Sequence, residues 1–154
     1  MSPLHAVARW WFSPLPRGRV AVFRTIVYLF IFVDVFITTS WVAGHGALPA
    51  ALYQPLFLGR VFSLPTPTPA VVTAVQVALL LGAAVAATGR WPRAAGFAVF
   101  ALYLEWMFIA FSYGKVDHDR VAFLVALAVL PMVGRARWGD LTADEASGWA
   151  LRSV

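Results

Sequence analysis

The sequence predicts an all-α integral membrane protein, a four-helix bundle preceded by an N-terminal interfacial segment. Three observations carry that expectation. Of 154 residues, 61% are hydrophobic and only 12% are charged, a balance outside the range of ordinary soluble domains. The mean hydropathy is +0.77, and the apolar residues fall in long runs rather than in an alternating pattern. The positive charge is almost all arginine, and it flanks those runs.

Residues 1–19 carry Trp10, Trp11 and Phe12 beside Arg9, Arg17 and Arg19, with Pro14 and Pro16 interrupting any helix. This reads as an interfacial arm, with aromatics at the headgroup level. Residues 20–134 form the predicted transmembrane domain. Val20–Val42 is the first span, interrupted by Arg24 and Asp34. It is too long for a signal-peptide core, so cleavage is not expected. Ala43–Pro69 is too rich in Pro and Gly to span, yet stays apolar. It is expected to lie on the membrane face or dip into it, ending in the stiff connector Pro65–Pro69. Ala70–Thr88 has no charge and is the second span. After the basic turn Gly89–Arg93, Ala94–Phe111 is the third, carrying Glu105. The fourth runs from Asp117 to Gly134, short and with Pro131 near its end. Residues 135–154 return to a soluble composition and form the predicted C-terminal tail. Small residues from Gly82 to Ala87 favour close helix packing.

Charge sets the expected orientation. Arg9, Arg17, Arg19, Arg90, Arg93, Arg135 and Arg137 collect on one side of the predicted bundle; Arg60, Lys115 and Arg120 lie on the other. The richer side is cytoplasmic by the positive-inside rule, giving a multi-pass plasma-membrane protein with both termini cytoplasmic. Lipid headgroups are the expected partners of the arginines. Nucleic acid is not, because no basic stripe with interleaved aromatics occurs in a polar context. The absence of cysteine excludes disulfides, thiolate metal sites and thiol redox chemistry. No nucleophile elbow, phosphate-binding Gly-rich loop, zinc-binding His-Glu-x-x-His helix or dinucleotide fingerprint is present.

The chemistry concentrates between the last two spans, where Lys115, Asp117, His118, Asp119 and Arg120 crowd a short outward-facing loop. Counting ~1.5 Å per residue puts Asp34 roughly 21 Å and Glu105 roughly 17 Å above the cytoplasmic starts of their helices, at or beyond the bilayer midplane. Both carboxylates are therefore expected beneath that loop, with Thr38 one turn above Asp34 on the same face. Two readings stand. In the structural one, Asp117 or Asp119 caps the fourth helix, Lys115 and Arg120 neutralise these acids, and Asp34 pairs with Arg24 through a neighbouring helix. In the functional one the cluster lines a site, in one of three forms. Lys115 is a base or an electrostatic anchor beside a proton-shuttling His118; or Asp117, His118, Asp119 and Glu105 hold a divalent metal, although neighbours in Asp-His-Asp point to different faces; or the acids and His118 form a proton or quinone site under an aromatic rim of Tyr103, Trp106 and Tyr113. His45, between two glycines, is expected to be a loop residue without a partner, and His5 lies in the arm.

The order Arg24 and Asp34 in the first helix, Gly44–Pro49 in a loop, then Tyr113–Asp119 entering a helix resembles the HTTM membrane domain of vitamin K-dependent gamma-carboxylases. It also resembles the related DoxX/MauE-like bacterial membrane proteins, over roughly residues 7–137. The resemblance implies a quinone as cofactor and Lys115 as the base, on the extracytoplasmic side. Those carboxylases have a longer membrane domain and a large extramembrane domain, so relative to them this chain reads as a shortened version. The function expected is a small membrane component, redox- or quinone-associated and not catalytic alone. The alternatives are a structural or assembly subunit of a larger membrane complex, in contact with other membrane proteins or its own copies, and a quinol-dependent carboxylase-like enzyme. The site expected comprises Lys115 and His118 as catalytic candidates with Asp34, Glu105, Asp117, Asp119 and Arg120 as polar neighbours, and no dedicated metal.

Overall fold

The computed structural model describes residues 3–114 and 118–154, and these are mostly helical. Seven α-helices follow one another: α1 (Pro3–Trp11), α2 (Arg17–Val33), α3 (Phe57–Val61), α4 (Pro69–Ala87), α5 (Pro92–Phe111), α6 (Val121–Val129) and α7 (Glu145–Ser153). Three helical stretches are long and apolar enough to cross a membrane: Arg17–Thr38, Pro69–Ala87 and Pro92–Phe111. The first is α2 extended by one π-helical turn over Asp34–Thr38.

Local chemistry places these helices. Thr68 accepts a hydrogen bond from Val71 N at 3.3 Å and Pro69 follows at the first helical position, which together start α4. Pro92 likewise stands at the first position of α5, but there Trp91 precedes it and no side chain caps the helix. Between them Gly89 takes a φ of 68°, closing the turn expected from Gly89–Arg93. The small residues of α4 are spent inside the chain: Ala83 and Ala86 are buried, and a Cβ on Gly82 would come within 3.2 Å of Val99. Gly96 on α5 is obligatory for another reason, since a Cβ there would meet Pro131 and the Tyr28 hydroxyl at 2.6 and 2.7 Å. That vacancy lets α5 approach α2 and the end of the α6 segment. The core so formed contains Tyr28, Ile31, Leu79, Tyr103, Trp106 and Leu127, all fully buried.

The fourth segment differs from its expected form. The α-helix α6 is only nine residues long, with 3₁₀ turns at His118–Arg120 before it and Leu130–Val133 after it. Pro131 removes a backbone donor and tightens the final turn, and Gly134 ends it with a φ of 77°. The segment before the second span holds 3₁₀ turns over Ser40–Ala47 and Ala50–Leu52, then α3, while the expected connector before Pro69 has no helical structure and Thr68 is extended.

The arm and tail form one unit. Strands β1 (Leu15–Pro16) and β2 (Ala143–Asp144) pair antiparallel, with Leu15 opposite Asp144. Arg17 Nε bonds Asp144 at 2.6 Å, and Arg152 donates to the carbonyls of Trp11 and Ser13 at 3.2 and 2.7 Å. Asp144 also caps α7, accepting from Ser147 N at 2.8 Å. Burial works against its carboxylate, but the bonds from Ser147 and Arg17 outweigh this and hold it below the usual range. The two ends of the chain thus meet at one end of the molecule.

Candidate functional site around Asp34

The π-helical turn that ends the first long helix decides the site. By widening the helix by one residue it lets Thr39 N donate to Asp34 O at 2.7 Å, and it turns both threonines toward the aspartate. Asp34 is fully buried, in a segment apolar enough to lie in a membrane, where an unpaired carboxylate is costly. Both carboxylate oxygens have partners. Thr38 donates to Oδ1, as the one-turn spacing predicted, and Arg120 approaches the same oxygen at 3.2 Å. Tyr103 donates to Oδ2 at 2.7 Å. Thr39 Oγ1 lies 2.9 Å from the Asp34 carbonyl and 3.4 Å from Oδ2, sharing its single proton between them. Trp106 Nε1 donates to Thr39 Oγ1 at 3.0 Å, adding a further layer. The network joins the first long helix, α5 and the turn that begins α6.

Several expectations change here. Tyr103 and Trp106 are not an aromatic rim; both are fully buried and wired into the Asp34 network. Arg24 does not pair with Asp34. Its guanidinium donates to Gly134 O at 2.8 Å and Ala136 O at 3.1 Å, holding the stretch that follows the α6 segment. Asp119 does not cap the fourth helix, because Arg120 occupies the position before α6 and no side chain caps it. His118 and Asp119 are exposed in the 3₁₀ turn. Glu105 does not converge on Asp34. It lies two residues from Tyr103, about 200° around the helix, and acts instead on Tyr53. Lys115 and Asp117 lie outside the described residues. Among the described residues, no group of three His, Cys, Asp or Glu side chains is arranged to hold a metal ion.

A second cluster was not legible beforehand. His45 has neighbours: Nδ1 is 3.2 Å from Ile109 O, and its ring stands 5.1 Å from Trp41 and 4.5 Å from Tyr113. Tyr113 in turn stands 5.9 Å from Tyr53. Burial, and then the charge of Glu105, raise the Tyr53 phenol above its ordinary value. Burial also raises Tyr113, whose hydroxyl has no hydrogen-bond partner among the described residues. The sequence signal was the run Gly44–Pro49, whose turn-forming residues fold the loop back; Gly46 packs against Pro69 so closely that a Cβ would sit 2.8 Å from it.

A groove leads to the Asp34 network from outside. About 370 Å³ in volume, it runs between α2 and α6 past Phe23, Ile26, Phe30 and Phe123, and Asp119, Arg120 and Val154 also line it. Ile26 and Phe30 belong to the exposed apolar surface of α2. Arg120 therefore lines the groove while holding the buried carboxylate. Comparison with protein-family models, curated proteins and solved structures returned no match to this chain.

Proposed function

We propose that this is a small multi-pass membrane protein of the HTTM/DoxX-like kind that holds a quinone or similar polar-headed, lipid-soluble molecule. It does so as a component of a larger redox system rather than as an enzyme alone. The observation that carries the reading is Arg120. One side of its guanidinium is fixed by Asp34, and its five N–H donors exceed what that contact uses. A largely apolar groove with Arg120 pre-oriented at its polar end, beside the exposed Asp119, suits a ring carbonyl followed by a hydrocarbon tail. The Asp34 network supplies the rigidity. Tyr103, Thr38 and Thr39 lock the carboxylate, which locks Arg120.

The topology proposed with it has four crossings and both termini cytoplasmic, in the plasma membrane. The joined terminal segments support an even number of crossings. The stretch His118–Val133 supports the fourth. Its α and 3₁₀ turns sum to roughly 27 Å when coaxial, close to the ~30 Å hydrocarbon core.

The test is extraction of the protein in a mild detergent, followed by mass spectrometry of bound quinones and a binding titration with a short-tailed quinone. Ala122→Trp, at an exposed groove position outside the Asp34 network, is expected to abolish retention while leaving the thermal transition in place. Wild-type protein that neither retains nor binds quinone overturns the reading, as does an Ala122→Trp variant that binds unchanged.

A further inference from the structure

Arg24 is 98% buried yet has no carboxylate partner among the described residues. It lies ten residues before Asp34 on the same helix, roughly 15 Å away, so the two sites are separate. What it faces is a cavity of about 410 Å³ between the start of α2, the end of α4 and the segment after α6. Three more arginines line that cavity, Arg90, Arg135 and Arg137, and no acidic residue does. An adjoining cavity of about 460 Å³ shares Arg90 and Arg135 and adds Arg17 and Arg93, again without an acid in its wall. One buried guanidinium and three exposed ones thus share the wall of one space that no acid enters, which makes it attractive to an anion. The carboxylate of Asp144 is engaged elsewhere, on Arg17 and Ser147.

The place of the cavity identifies the counter-charge. It opens where the long apolar helices end: Ala87 is the last residue of α4, and Thr88–Arg90 form the turn. Trp91 and Trp138, both largely exposed, stand beside it, as aromatic residues do at the headgroup level. Arg24 is already oriented by Gly134 and Ala136, and these two bonds leave it further N–H donors. Arginine's planar fork matches tetrahedral phosphate oxygens better than a point charge does.

We infer that this arginine-lined cavity binds a phosphate group, supplied by the headgroup of an anionic phospholipid. The site stands independently of the quinone reading, since it shares neither residue nor cavity with the groove. The bound anion neutralises Arg24 and its neighbours, and it ties the α4–α5 turn to the segment after α6.

The experiment uses the full chain in a non-ionic detergent, with phosphatidylglycerol, phosphatidylcholine and inorganic phosphate as probes. Binding is read by native mass spectrometry and by thermal shift at matched ionic strength. Because Arg24→Gln also removes the bonds to Gly134 and Ala136, the double variant Arg90→Gln/Arg137→Gln carries the test; both positions are exposed. Phosphatidylglycerol is expected to bind about tenfold tighter than phosphatidylcholine, and the double variant to lose that preference. Stabilisation by phosphatidylglycerol but not inorganic phosphate assigns the group to a lipid; equal stabilisation by both assigns it to a free anion in the same cavity. The inference is overturned if wild-type protein does not distinguish the two lipids and ignores phosphate, or if the double variant keeps the full preference.

Discussion

One helix buries two opposite charges, and the molecule treats them differently. Asp34 meets a guanidinium, a phenol and two hydroxyls, and its surroundings are closed. Among the described residues Arg24 donates to two carbonyls and no carboxylate, and the space beyond it is lined by more arginines. A buried charge with its counter-ion present is a joint between helices; one without it is an incomplete site. The Asp34 end is thus built to hold its own elements together and lend Arg120 to the groove. The Arg24 end is built to be completed from outside.

The largest expected effect comes from breaking the closed end asymmetrically. Arg120→Ala leaves Asp34 buried without its counter-charge, although Tyr103, Thr38 and Thr39 still donate to it, and should lower stability by about 3 kcal/mol. Asp34→Asn keeps the bond from Tyr103 and leaves a partly exposed Arg120 that water can reach, so it should cost less. Chemical unfolding in detergent measures both, and the contrast between the two ends fails if Asp34→Asn is the more damaging. Arg24→Met should cost about 2 kcal/mol by freeing the carbonyls of Gly134 and Ala136. Its distinguishing sign is that added phosphatidylglycerol stabilises wild-type protein and not the variant. Tyr103→Phe removes one bond to a charged acceptor and should cost about 1–2 kcal/mol, with no effect on lipid preference.

The smallest effect concerns the terminal clamp. The folded carboxyl of Asp144 is depressed below its unfolded value near ~3.9. Its contribution is therefore fully present above that unfolded value and is lost as pH falls through the folded one. Acidification below about pH 4 should loosen the arm from the tail, worth about 1 kcal/mol with the lost cap included. Asp144→Ala should reproduce the loosening at neutral pH and remove its acid dependence, as followed by Trp10 and Trp11 fluorescence beside Arg152.

By itself the sequence determined what depends on composition and local pattern. Helical class, three apolar spans and their punctuation by Thr68-Pro69, Gly89 and Pro92 are properties of neighbouring residues, and they appear where expected, except that the first span ends at Thr38 rather than Val42. Depth counting brought Asp34 to the level of Arg120 because helix rise is constant. Rotation about the helix axis was another matter. Whether Glu105 or Tyr103 faces Asp34 depends on how α5 is turned, and an apolar helix with little amphipathic contrast does not announce its inner face. The π-helical turn after Val33 shifted that phase again, and Gly96 set which helices approach closely enough to use it. Only the tertiary structure decided that Arg24 and Asp34, ten residues apart on one helix, belong to different sites. A charge in a membrane helix states that a partner is required, and packing chooses which one.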